Sequence, residues 1–316
     1  MCVASAFLLT CVVGSTDLAY PQQAQNRGQN AGELELLPVQ GNIHMLAGAG
    51  GNITVQAGKD GVFLVDSGTA AMSDRVLKAI GALSKGQVTY IVNTTDRSDH
   101  VGGNETFART GRPLAINRAA QASVFIVAFS TILDRMSDRN AKPPIPDRAW
   151  PNDTYSVPQK NLHFNGEAIQ IFHQPATTDG DSIVQFRRSD VISTGDVFTT
   201  TGYPVIRPDD GGGIDGVIMA LNRIIELTVP AEKQEGGTLV IPGHGRLCDE
   251  ADVVEYRDMV TIIRDRIKSM IEMGLTLRQV QAAKPTADYD GRYGATTGFW
   301  TTEQFVAAAY ESLQND

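Results

Sequence analysis

Hydrophobic and polar positions change period several times along the chain. Between residues 36 and 65 the apolar positions form short alternating runs, Ile43-His44-Met45-Leu46, Asn52-Ile53-Thr54-Val55-Gln56 and Gly61-Val62-Phe63-Leu64-Val65, with glycines between them. A period of two with glycine punctuation predicts antiparallel hairpins at a sheet edge. Residues 73–83 switch to a period near 3.6, with Val76, Leu77, Ile80 and Leu83 on one face, which predicts an amphipathic helix. The apolar run 88–92 reads as a strand, 105–110 as a helix, 113–116 as a short strand and 119–136 as a long apolar helix. Prolines between 143 and 151 break the next connection. A second half opens with an alternating hairpin, Leu162-His163-Phe164 and 168–173, that runs into the stretch 174–186. Strands at 191–198 and 238–241 flank a helix over 215–227, and amphipathic helices follow over 253–273, 276–283 and 302–313. Strand and helix repeat as in a layered α/β protein, with the last helices covering the sheets or making a dimer contact in a homo-oligomer.

Composition narrows the class. The 316 residues are 42% hydrophobic, sufficient for a substantial core. A formal net charge of -9, with no cluster of Lys and Arg able to neutralise a run of phosphates, argues against a nucleic-acid partner. Residues 3–14 are apolar and the stretch to residue 32 is rich in Gln and Asn, the pattern of a signal peptide with a disordered linker behind it. This divides the chain into 1–32 and a single domain over 33–316, and it puts the mature protein in the periplasm or outside the cell. No Lys or Arg precedes Arg27, so the positive start of such a peptide is absent and a cytoplasmic tail is the alternative. No segment is long and apolar enough to span a membrane as a mature helix, and no membrane partner is expected after processing. Cys2 and Cys11 would leave with the peptide, and Cys248 alone cannot form an internal disulfide. It reads as a buried thiol.

Candidate chemistry gathers at the ends of the apolar runs. The strand 88–92 enters Asn93-Thr94-Thr95-Asp96-Arg97-Ser98-Asp99-His100-Val101-Gly102-Gly103-Asn104, a polar turn closed by glycines. Asp99 and His100, side by side at a strand end, offer an oxygen and a nitrogen to one point, as a divalent ion requires, although such a pair also occurs on plain surfaces. Asp66-Ser67-Gly68 ends the third early run as an Asx-type turn. Asp196 follows Gly195 at another strand end, and His244 sits in Pro242-Gly243-His244-Gly245, where flanking glycines leave its imidazole unhindered. Phe125, Phe129 and Trp150 border the irregular connection and are candidates for a substrate pocket or for core filling.

These motifs, in this order, resemble the metallo-β-lactamase superfamily, whose signature loop reads His-x-His-x-Asp-His before a Gly-Gly-Asn-like turn. The resemblance covers roughly residues 43–244 and implies a four-layer αββα sandwich, two mixed β-sheets flanked by helices. In that family one metal is held by the two leading histidines and a histidine of a second loop. Here those positions carry Thr95, Arg97 and Thr177. His173, just upstream of the second loop, is a candidate replacement, but a ligand shifted along a strand turns to a different face. The other metal's set is retained as Asp99, His100, Asp196 and His244, with Asp66 as the supporting carboxylate.

The resemblance therefore implies one divalent metal, zinc first and manganese or iron as alternatives. Such an ion lowers the pKa of a bound water to about 7, so a single metal can serve a hydrolase acting on a small ester, lactone, amide, thioester or β-lactam. Asp99 and Arg97 are the catalytic candidates. Arg97 either offers its charge to an anionic group near the vacated position or pairs with Asp96, Asp99 or Asp196. The competing function is a catalytically impaired relative, a ligand-binding or scaffold protein on the same fold.

Overall fold

The computed structural model describes residues 33–110, 124–141 and 143–314. The leader and linker expected over 1–32, with Cys2 and Cys11, and the strand expected over 113–116 lie outside the described residues. Two sheets form. The seven-stranded one begins as an antiparallel meander of β1 (Glu35–Gln40), β2 (Ile43–Ala47), β3 (Ile53–Gly58) and β4 (Gly61–Val65). It continues in parallel through β5 (Val88–Val92), β6 (Phe125–Phe129) and β7 (Asp153–Tyr155). The five-stranded sheet has the order β12 (Leu239–Ile241), β11 (Val191–Ser193), β10 (Ser182–Phe186), β9 (Glu167–His173) and β8 (Gln159–Phe164). Its β11/β12 pair is parallel and the others are antiparallel, so both sheets are mixed.

The strand pleat sends alternate side chains into different cores. On β4, Val62 and Leu64 join Val76 and Ile80 of α1 (Ser73–Leu83), whereas Phe63 and Val65 face the second sheet and meet Ile169, Ile171, Val184 and Phe186. Beyond that sheet, Phe172 and Ile183 pack with Leu221 of α5 (Ile214–Leu227), Val260 of α6 (Glu250–Glu272) and Phe305 of α9 (Thr302–Gln314). The layer order is helix, sheet, sheet, helix, the αββα sandwich expected. Of the two roles open to the late helices, α6 and α9 take the first and cover a sheet.

Polar contacts cross the inter-sheet core and fix its register. Thr54 Oγ1 donates to Ser193 Oγ at 2.8 Å, and Gln56 Nε2 donates to Glu167 Oε1 at 2.6 Å. Glu167 also accepts from the backbone N–H groups of Arg188 and Ser189, both at 3.0 Å. A buried polar group left unpaired here would cost about 1–3 kcal/mol, so a slipped sheet is penalised.

One expectation needs correction. The stretch 119–136 is not one helix: the described part is strand β6 followed by α4 (Ser130–Met136). Ile126, Val127 and Ala128 are all fully buried, because a parallel strand covered on both faces is apolar at every position. Such a run has no period of two and cannot be told from a buried helix by pattern. Among the described residues no helix is long and apolar enough to cross a membrane.

Candidate metal centre

Four strands end on one edge of the sandwich, and each delivers a polar residue there: β4 leads to Asp66, β5 to the loop 93–104, β11 to Asp196 and β12 to His244. Within that loop α2 (Ser98–Val101) begins just after Arg97 and sets Asp99 and His100 on one turn. The crevice lies outside the carboxyl ends of these strands, where ligands of open α/β sheets bind. Asn52 locks the far side. Its N–H donates to Gly243 O at 2.7 Å, and its side chain donates to Pro242 O at 2.9 Å and Gly245 O at 3.0 Å. A Cβ on Gly243 would stand 2.6 Å from Asp196 Oδ1, so only glycine lets the His244 turn come this close to Asp196.

His100 is the fully buried centre of the cluster. Its Nδ1 lies 2.7 Å from Asp66 Oδ2, and Asp66 also accepts from Thr94 N at 2.8 Å and Thr94 Oγ1 at 2.7 Å. A carboxylate on Nδ1 fixes the proton there and turns Nε2 outward. That Nε2 lies 3.1 Å from Asp196 Oδ1, yet off line, and makes no hydrogen bond. His244 Nε2 is 3.3 Å from Asp99 Oδ2 and 3.4 Å from Asp196 Oδ1. The donor atoms of Asp99, His100 and His244 all lie within 4.8 Å of one another, a group able to hold a metal ion. Asp196 Oδ1 touches both imidazoles from beside them.

Charge follows this geometry. Burial pushes the Asp99 carboxyl up, but the His244 hydrogen bond and the charges of His100 and Arg97 outweigh it and bring it down to about 2. Asp196 is held well below the usual carboxylate range for similar reasons, its burial overcome by His100, His244 and Arg97. Burial alone would lower His100, yet Asp196 and Asp66 hold it well above the usual imidazole range, and His244 is raised by Asp196 and Asp99. Two imidazole nitrogens and the carboxylate oxygens of Asp99 and Asp196 thus stand together, nitrogen and oxygen donors of the kind that fit a divalent ion.

The three positions where the resemblance puts the lost ligands have different surroundings. Arg97 lies in the cluster, with Nε 2.9 Å from Asp196 Oδ2 and 3.6 Å from Asp99 Oδ1. Of the partners considered for it, Asp96 is taken by Arg135, at 2.8 Å, and by Arg207. Thr95 is buried with its hydroxyl unpartnered. Thr177 gives its hydroxyl and its N–H to Asp181 Oδ2, at 2.6 and 2.7 Å. His173 lies apart: its Nε2 meets Asp179 O at 2.6 Å and its ring stacks on Phe129 with centroids 3.4 Å apart. Phe125 stacks on Tyr90, and Trp150 packs against the Val101, Ala128, Ile132 and Met136 cluster. None of the three aromatics lines the crevice: Phe125 and Phe129, on β6, pack against Tyr90 and Tyr155, and Trp150 lies beyond β6 against the Ala128 and Ile132 cluster. Cys248 is a buried free thiol, as expected.

The crevice opens into a cavity of about 290 Å³ that includes Arg97, Asp99, Asp196 and His244. Its other wall was missed from sequence: Tyr293, which ends α8 (Asp290–Tyr293) beyond α7 (Leu277–Ala283), with Phe299 and Trp300. The one available signal was an aromatic pair inside the Gly- and Thr-rich stretch 294–302. Gly51 was also missed. A Cβ there would lie 2.8 Å from His100 Cε1 and 2.9 Å from Nε2, so the glycine makes room for the ring.

A family model described as the metallo-beta-lactamase superfamily matches residues 47–246. Among solved structures, the stereoselective inverting sec-alkylsulfatase Pisa1 from Pseudomonas sp. superposes with a TM-score of 0.63 at 15% identity, covering 88% of this chain and 50% of that one. The metallo-beta-lactamase from Pontibacter korlensis gives 0.55 at 15% identity, covering 72% and 99%. The DIM-1 metallo-beta-lactamase gives 0.55 at 16%, covering 72% and 97%. These likenesses show the fold, and the chain spans about half the length of the alkylsulfatase. No curated protein matches.

Proposed function

The chain belongs to the metallo-β-lactamase superfamily, and from that premise we propose that it is a hydrolase working with a single divalent metal, zinc first, on a small ester, lactone, amide, thioester or β-lactam. The observation that carries this reading is that the donor atoms of Asp99, His100 and His244 all lie within 4.8 Å of one another, with His100 Nε2 buried and met only off line by Asp196 Oδ1 at 3.1 Å. A buried polar atom left so is costly unless something meets it. Asp99, His100 and His244 would hold the ion, with Asp196 beside them. Bound there, the ion supplies a water of lowered pKa and a Lewis acid for a carbonyl.

The chain's own residues do the rest. Asp66 keeps the His100 proton on Nδ1, so Nε2 stays a donor to the ion and the ring does not turn. Asp196 and Asp99 hold Arg97 at the cavity wall, where its fixed charge can stabilise an oxyanion. The crevice removes part of the solvent around that charge and strengthens it.

Metal analysis tests the reading. Purified protein should carry about one equivalent of zinc, manganese or iron, as the coordination chemistry requires. Asp99→Ala and His244→Ala should each lose it, together with hydrolysis on a panel of β-lactams, lactones, thioesters and, given the sulfatase likeness, secondary alkyl sulfates. The second reading, a relative without turnover, is favoured by the pairing of Arg97 with both Asp99 and Asp196. Metal-free protein whose stability both substitutions leave unchanged would establish it.

A further inference from the structure

The cavity has two unlike walls. One is the carboxylate and imidazole cluster with Arg97, and the other is apolar and draws its three aromatic residues 293, 299 and 300 from beyond the family-matched stretch 47–246. Tyr293, Phe299 and Trp300 form it, with Tyr203 and Val205 beside them. The loop that carries Phe299 and Trp300 is closed at its base, where Thr302 N–H donates to Ala295 O at 2.8 Å and Ala295 N–H donates to Thr302 Oγ1 at 3.0 Å. Trp300 Nε1 donates to Pro204 O at 3.1 Å, and Tyr203 stacks on Phe305 of α9 with ring centroids 4.6 Å apart. The wall is thus anchored to the helical layer rather than loosely draped. Phe299 differs from its neighbours. It leaves 77% of its surface exposed while its ring lies 5.2 Å from the Arg97 guanidinium. A phenyl ring left wet at the mouth of a cavity is unfavourable surface that an apolar ligand would cover.

We propose that this loop is the specificity-determining wall of the site, and that Phe299 and Trp300 select substrates with an apolar arm, aliphatic or aromatic, beside the group that is hydrolysed. The inference rests on reading the cluster as the hydrolytic centre. The cavity of about 290 Å³ holds on the order of ten non-hydrogen atoms at about 30 Å³ each, enough for a head group with a short chain or one ring.

Calorimetric titration of the full-length, zinc-loaded protein with acetate, butanoate and hexanoate tests it. Each added methylene should tighten binding about three- to fourfold in the native protein. In Phe299→Ala the gain per methylene should fall below about twofold, and Phe299→Leu should restore most of it. Phe299 belongs to no core cluster, so the variants should melt with the parent. Equal gains in Phe299→Ala and the parent overturn the proposal, as does equal affinity along the series or no binding of hexanoate. Zinc content and hydrolysis of para-nitrophenyl acetate, read on the same preparations, separate the two readings. Hydrolysis absent with a Phe299-dependent chain-length gain sinks the hydrolytic reading alone, and hydrolysis intact without that gain sinks the apolar wall alone.

Discussion

His100 gives Nδ1 to Asp66 at 2.7 Å, and this one contact decides which ring nitrogen faces the crevice. Asp66 stands at a left-handed backbone position with φ 64°, which Asn tolerates, so Asp66→Asn changes the carboxylate rather than the chain path. The variant removes the anion that orients the imidazole and leaves the Thr94 and His100 donors competing for one oxygen. Zinc affinity should fall about 10–100-fold, as for other supporting partners of metal-binding histidines. Urea unfolding should show a loss of about 1–3 kcal/mol. A chelator-competition titration that returns the parent affinity would remove Asp66 from this role.

Gly51 offers a test that leaves every ligand in place. The methyl of Gly51→Ala would press on the His100 ring at Cε1 and Nε2, and the ring has nowhere to retreat because Nδ1 is tied to Asp66. Zinc affinity should drop at least tenfold, by the same loss of ring orientation. Gly81→Ala is the control: a Cβ there meets open space on α1, and Ala in a helix gains up to about 1 kcal/mol over Gly. Equal zinc affinity in both variants would show that the ring position is not controlled from β2 and β3.

The fold was legible in the sequence wherever one face of an element is wet. α1, with Val76 and Ile80 inward, carries a clean period, and the early meander, although β4 is buried on both faces, was marked by the glycines between its strands. Strand β6 was not legible, since full burial erases alternation. At the site, Asp66, Asp99, His100, Asp196 and His244 were legible because they stand at the ends of apolar runs in the order of the family's motifs, and the structure brings them to one crevice. Asn52, Gly51 and Phe299 did not. Their roles come from approaches across long sequence separations, such as Asn52 on the Pro242 turn, that no local pattern encodes.

Asp181, a buried carboxyl that also feels the charge of Asp196, gives a pH signature. Burial raises its carboxyl to about 6, although Thr177 and Thr178 pull the other way through their hydroxyls and an N–H group. A carboxyl raised in the folded chain contributes stability that is whole below its ordinary value of 3.8 and is lost as pH climbs through about 6. Asp181→Asn should therefore flatten the stability profile between those two values while costing stability through weaker hydrogen bonds to the Thr177 loop. Carboxyl carbon shifts should place the Asp181 midpoint near 6, and a midpoint in the ordinary range would refute the effect.

The two imidazoles should separate folding from metal binding. The His100 side chain is fully buried and tied to Asp66, whereas His244 is 27% exposed, meets Asp99 and Asp196, and stands edge-on to the His100 ring. In chelator-treated protein, His100→Ala leaves a hole and takes one of three hydrogen bonds from the buried Asp66 carboxylate, and should cost about 2–4 kcal/mol, whereas His244→Ala should cost about 1 kcal/mol or less. Zinc added to the parent at about 100 times its dissociation constant should stabilise it by about 2.7 kcal/mol, roughly 5 °C in melting temperature for a chain of this size. Both variants should lose that rise. A zinc-dependent rise that survives His244→Ala would mean the ion binds without the β12 turn, and the crevice would then be an ion-pair network rather than a metal centre.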